Sequence, residues 1–174
     1  VVEFGESVVP QEPDGGMLVE EAGDSFMVSH GPGLIWAIPK DLSGVVRSVK
    51  TPKWDYLRPG SAGLAMRLAG DRVSKLSDAQ KWRHTGAIAK QGPIDCWLHF
   101  EGTGLADENG GIAWNLDLGF PRSKSWVHVQ WHVEDPKQVV TALDAALDLQ
   151  VGDGPTLVDF GVDELVYATV PDGQ

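Results

Sequence analysis

Asp95-Cys96-Trp97-Leu98-His99-Phe100-Glu101 alternates strictly along its length. In an extended chain Cys96, Leu98 and Phe100 fall on one side, and Asp95, Trp97, His99 and Glu101 on the other. A helix would spread both sets around its circumference, so the stretch reads as a strand with one face turned to a core. Trp126-Val127-His128-Val129-Gln130-Trp131-His132-Val133 repeats the pattern, with Val127, Val129, Trp131 and Val133 opposite Trp126, His128, Gln130 and His132. The second face of each strand is unusual. A solvated face carries mostly Lys, Thr, Ser and Glu, whereas these carry indole, imidazole and hydrogen-bonding groups, the chemistry that suits polar, ring-shaped ligands such as sugars.

Working outward, short apolar bursts separated by turn residues fill most of the chain. Met17–Glu21 and Ser25–His30 flank Ala22-Gly23-Asp24 as a hairpin. Strands are expected at Leu34–Ile38, Val45–Lys50, Leu64–Leu68, Gly86–Ala89, Ile94–Glu101, Ile112–Gly119 and Trp126–Val133, with a final hairpin of Leu157–Phe160 and Glu164–Val170. Residues 51–63 read as a loop, 74–83 as polar and weakly patterned, and Gly102-Thr103-Gly104 as a turn. Two readings compete for 135–149. Asp135 as N-cap, Pro136, and Val139, Val140, Leu143, Ala146 and Leu147 at helical spacing predict a short helix. Alternation from Ala145 to Val151 predicts a loop and then a strand. Strands recurring at short intervals indicate an all-β fold, an antiparallel β-sandwich with at most one short helix. One domain is expected over 17–174, behind an extended N-terminal arm or linker at 1–16 rich in Pro, Glu and Gly.

Composition narrows the partners. The 174 residues carry 14 basic and 25 acidic side chains, a formal charge of −11. That balance argues against nucleic acid, which needs a basic footprint, and against anionic membranes; Lys50, Lys53 and Arg58 are the only thin basic patch. No apolar run reaches the length of a membrane-spanning helix, so no membrane insertion is expected. The chain starts at Val1, which reads as a processed or partial form. A single cysteine, Cys96, forbids an internal disulfide and reads as a buried thiol on an apolar face. The compartment stays open on these grounds, with a secreted or periplasmic placement slightly favoured.

Candidate chemistry follows from spacing. His128 and His132 share a face but lie roughly 13 Å apart along one strand, too far for one zinc ion. No metal or other cofactor is expected, except for a structural calcium held by loop oxygens of Asp107, Glu108, Asn109, Asp153 and Asp159. Catalytic candidates are His99 or His128 as a base with Asp95 or Glu101 beside it, as in a lyase or hydrolase. Asp117, opposite Trp114, Leu116 and Leu118, belongs to the polar side too. The only cation nearby in sequence is Arg122. Neither a nucleophile elbow, a P-loop nor a dinucleotide fingerprint is present. Of the seven tryptophans, Trp114 and Trp131 read as core, Trp97 and Trp126 as exposed stacking platforms, and Trp36, Trp54 and Trp82 are unassigned.

The order of motifs is also familiar. Val28-Ser29-His30-Gly31-Pro32-Gly33-Leu34-Ile35-Trp36-Ala37-Ile38-Pro39-Lys40, Gln91-Gly92-Pro93-Ile94 leading to Glu101-Gly102, Leu116–Phe120 with Ser125–Val133 and Asp135, and Pro155–Gly161 follow one another as in a known group of sandwich domains. The set resembles the β-sandwich domain of exo-rhamnogalacturonan lyase-like proteins and, more loosely, galactose-mutarotase-like supersandwiches. Asp95 stands where that group has a basic residue, and Gly119-Phe120-Pro121 replaces its aromatic–glycine turn. The resemblance, over residues 17–170, implies a sandwich that handles polysaccharide, and it carries over no catalytic residue. The expected function is therefore a carbohydrate-interacting domain, free-standing or part of a polysaccharide-degrading protein, with Trp97, His99, Glu101, Trp126, His128 and Gln130 facing the sugar. The alternatives are a polysaccharide lyase or glycoside hydrolase, and a non-catalytic module whose partner is another domain of the same protein.

Overall fold

The structure, a computed structural model, describes residues 17–30, 33–58, 63–105, 111–122, 124–150, 156–159 and 167–170. The expected arm at 1–16 lies outside them. All regular structure among the described residues is antiparallel β. A first sheet runs in chain order through β1 (Leu18–Ala22), β2 (Ser25–His30), β3 (Leu34–Pro39), β4 (Ser48–Thr51) and β5 (Trp54–Asp55). Its first hairpin closes through Gly23-Asp24, with Ala22 paired to Ser25 and Gly23 at φ 60°, a conformation that glycine adopts without strain. A small third sheet, ordered β12-β6-β7, joins β6 (Leu64–Leu68) to β7 (Arg72–Lys75) and β12 (Val140–Ala145). The sheet that carries the two alternating stretches is ordered β11-β10-β9-β8, from β8 (Trp82–Gln91), β9 (Asp95–Gly104), β10 (Ile112–Pro121) and β11 (His128–Glu134). Near the C-terminus β13 (Thr156–Asp159) pairs with β14 (Tyr167–Val170), the expected last hairpin.

The apolar halves of the alternation face the first sheet. Cys96, Leu98, Phe100, Leu116, Leu118 and Phe120 are buried to the last few per cent. They meet Phe26, Val28, Trp36 and Ile38 of the first sheet in one core. Phe26 meets Phe100 edge-on with centroids 5.8 Å apart, and Trp36 meets Phe120 at 5.7 Å. Such pairs add about 0.5–1.5 kcal/mol each beyond their burial. This is a β-sandwich with no helix among the described residues.

Four cross-strand pairs in the β8–β11 sheet share one construction: an aromatic ring seated on a glycine directly opposite. Phe100 faces Gly86, Trp82 faces Gly104, Trp114 faces Gly102 and Trp97 faces Gly119. A Cβ on any of these glycines would lie 2.5–2.7 Å from its ring partner, inside van der Waals contact. Glycine here is chosen for close approach, not for turning the chain. Hence the expected turn at Gly102-Thr103-Gly104 is instead the continuation of β9.

Other expectations shift for similar tertiary reasons. Residues 72–75 form a strand, and the strand expected at Gly86–Ala89 extends over Trp82–Gln91, because β6 and β9 supply partners that the weak local pattern does not announce. Val45 and Val46 are buried but precede β4, which starts at Ser48. In 135–149 neither expected form is found. The Asp135 carboxylate accepts the Val140 amide at 2.6 Å and its carbonyl accepts the Gln138 amide at 3.1 Å, which closes a turn into β12. β12 then pairs with β6, and Leu149 makes an isolated bridge to Leu57. The helical spacing is local, whereas hydrogen bonds to β6 are available only in the folded sheet.

Candidate functional site

Register assembles the outer face of the β8–β11 sheet row by row. Lys90, Trp97, Gly119 and His128 form one row; Ala87, His99, Asp117 and Gln130 the next; then Thr85, Glu101, Asn115 and His132; then Arg83, Thr103, Ala113 and Glu134. Five of the six expected ligand-facing residues, Trp97, His99, Glu101, His128 and Gln130, therefore share this face. Trp126 does not. β11 begins only at His128, so the alternation does not extend back to Trp126. That indole, 53% exposed, instead lines an apolar groove of about 760 Å³ with Trp36, Tyr56 and Val129.

Trp97 is held from three sides. Its indole N–H donates to Asp95 Oδ2 at 3.1 Å, and its ring meets the His128 imidazole edge-on at 5.5 Å. Three consecutive atoms of its six-membered ring lie at nearly equal distances, 2.7–2.9 Å, from where a Gly119 Cβ would stand. A point equidistant from three neighbouring ring atoms lies over the ring's face, not beyond its edge. The indole thus reclines flat across β10, one face on Gly119 and the other turned outward.

Asp95 secures this arrangement. Lys90 Nζ lies 2.7 Å from its Oδ1 and 2.9 Å from Oδ2. The Lys90 ammonium first, and the Trp97 N–H second, hold the Asp95 carboxyl below the usual carboxylate range. Because the folded state depresses this acid, its contribution is present at neutral pH and is lost as pH falls through the lowered value, below about 3.9. The near-ultraviolet circular dichroism of Trp97 is expected to hold down to that region and then to decline in acid; the Asp95→Asn variant, whose amide keeps an acceptor but no charge, should flatten that transition.

Beside the platform lies the second feature. His99 Nδ1 is 2.6 Å from Asp117 Oδ1. A carboxylate only accepts, so Nδ1 carries a proton, and in the neutral ring the lone pair is on Nε2. Nε2 is 4.0 Å from Glu101 Oε2. His99, Glu101 and Asn115 border a cavity of about 530 Å³ with Arg83 and His132. Of the carboxylates expected beside a histidine, Asp95 contacts Lys90 and Trp97 instead, Glu101 does lie near His99, and Asp117 makes the shortest contact with it. Asp95 and Glu101 stand six residues apart on β9, about 20 Å, too far to flank one glycosidic bond. The basic residue at this cavity is Arg83, not the loop residue Arg122. Arg83 falls outside the expected strand at Gly86–Ala89 because β8 already begins at Trp82; Arg83, Thr85 and Ala87 alternate with His84, Gly86 and Ile88.

The remaining expectations divide simply. Trp114, Trp82 and Trp36 are buried, Trp131 packs partly against the core, and Trp54 is exposed. Lys50 and Arg58 of the thin basic patch face Asp55 and Asp148 at 3.5 and 3.8 Å. The loop oxygens proposed for calcium, Asp107 to Asn109 and Asp153, lie outside the described residues, as do the side-chain surroundings of Asp159. Among the described residues no helix is long and apolar enough to cross a membrane. Cys96 is fully buried, and desolvation first, with the Asp95 charge second, pushes its thiol up to about 12. Since the thiolate is the nucleophile, the native protein is expected to resist a disulfide-exchange reagent near neutral pH and to react stoichiometrically once denatured; fast native labelling would contradict this burial.

Comparison of the chain with protein-family models, with curated proteins and with solved structures finds no match.

Proposed function

We propose that the outer face of the β8–β11 sheet binds carbohydrate, with Trp97 as the stacking surface and His99, Glu101, His128 and Gln130 as hydrogen-bonding partners of ring hydroxyls. The observation that carries this reading is the seating of Trp97 on Gly119, which fixes one indole face outward beside a row of polar side chains. A flat apolar ring bordered by donors and acceptors matches the C–H face and the hydroxyl rim of a pyranose. The resemblance of the chain's motif order to that of polysaccharide-processing sandwiches is in keeping with this reading. The Trp126 position supplies an internal control, being on the apolar groove. On a glycan array, the parent chain and Trp126→Ala are expected to bind the same sugars, and Trp97→Ala to lose them. Full glycan affinity in Trp97→Ala, or no glycan bound by the parent, defeats the proposal.

A second reading, acid–base chemistry on the bound sugar, is favoured by the Asp117–His99 contact, which fixes the tautomer that leaves Nε2 free to take a proton. It predicts release of shortened or unsaturated saccharide over time, abolished by His99→Ala. Binding without product supports the non-catalytic reading.

A further inference from the structure

The two edges of the β8–β11 sheet are built differently. β8 carries Arg83 and Lys90 and a break in register between Ile88 and Lys90. Charge and irregularity of this kind blunt an edge against further pairing. β11 has neither. Its seven residues pair with β10 without interruption, and they include no proline and no lysine. Val129 is 44% exposed. Among the described residues no strand occupies its outer edge. A regular, unprotected edge of this length is a template for another strand.

The sequence of β11 also specifies which strand. Opposed residues of an antiparallel pair share a face, so a two-fold axis must pass through a residue of the strand. Only an axis at Trp131 pairs all seven residues of β11 with a second β11. That register sets His128 against Glu134 of the other copy, and Gln130 against its His132, on the polar face. On the apolar face it sets Val129 against Val133 and Trp131 against itself. Imidazole meets carboxylate and amide meets imidazole at both symmetric ends, with no like-charge pair. An axis one pair earlier, at Gln130, would set His128 against His132.

We infer that this chain associates with a second copy of itself through β11, in antiparallel register centred on Trp131, joining two four-stranded sheets into one of eight strands. The inference does not require the carbohydrate reading: the backbone edge of β11 makes the contact and sedimentation without glycan tests it, although His128 and Gln130 of the outer face enter both. Sedimentation equilibrium over a range of protein concentrations should show a monomer–dimer equilibrium. His128→Glu places Glu against Glu134 twice per dimer and is expected to raise the dissociation constant about tenfold. Adding Glu134→His to it exchanges the partners and should restore association. Amide exchange on the unaltered chain gives a second measurement that needs no variant: the β11 amides directed away from β10 should gain protection as concentration rises. A chain that is monomeric throughout, a dimer indifferent to His128→Glu, a double variant as weak as the single one, or unchanged β11 protection would each overturn the inference.

Discussion

Gly119→Val is expected to weaken glycan affinity about tenfold or more while costing only about 1 kcal/mol of stability. The new side chain would occupy the space that the Trp97 ring now fills, with three ring atoms already 2.7–2.9 Å from the position of its Cβ. Those atoms are the far end of a partly exposed side chain, so the ring can swing off the sheet without forcing the backbone. What it gives up is its orientation: the outward flat face, the edge contact with His128 and the N–H donated to Asp95. Valine is otherwise favourable in a strand, so the fold should survive. Calorimetric titration with whichever glycan the parent binds, together with urea denaturation of both proteins, separates the two effects. Unchanged affinity in a folded Gly119→Val protein would mean that the platform does not hold the ligand.

Gly102→Ala should be the costlier change to stability, about 3 kcal/mol, although it adds only one methyl group. Its Cβ would lie 2.5 Å from Trp114 and 2.8 Å from the Arg83 carbonyl. Trp114 is 3% exposed and cannot swing into solvent, and the carbonyl is backbone held in the β8–β9 ladder. Gly23→Ala makes the informative comparison. Nothing lies within 4 Å of its Cβ, and its cost comes only from φ 60°, about 1 kcal/mol. A shift in the urea midpoint of Gly102→Ala no larger than that of Gly23→Ala would show that 102 behaves as a turn after all.

That comparison marks where the sequence can be read and where it cannot. Alternation at 95–101 and 126–133 announces strands and their apolar faces because period two is a property of the chain alone. It places Trp97, His99, Glu101, His128 and Gln130 together because neighbouring antiparallel strands share faces. It cannot say how far each strand runs. Trp126 follows the parity of β11 but precedes its first paired residue, and so falls to the groove. Gly102 and Gly104 look like turn residues until Trp114 and Trp82 stand across from them, and that requires the register. Asp117 becomes the partner of His99 for the same reason, since the two are eighteen positions apart along the chain. Arg83 lies before the strand expected at Gly86–Ala89, and only pairing with β9 shows that β8 begins at Trp82.

The glycine seats also bear on how faithfully the chain folds. A one-residue slip between strands turns every apolar side chain outward and is rejected by the core. A two-residue slip keeps all faces correct, so burial pattern alone does little to penalise it. Here it collides. Moved one way, β9 against β10 would set Trp97 on Asp117 and Trp114 on Phe100; moved the other way, Trp97 would land on Pro121. Between β8 and β9 the same shift drives Phe100 onto His84 or Ile88. Each aromatic fits only where its partner has no side chain, so the glycines act as keyways that distinguish the native alignment from its nearest hydrophobically equivalent neighbours.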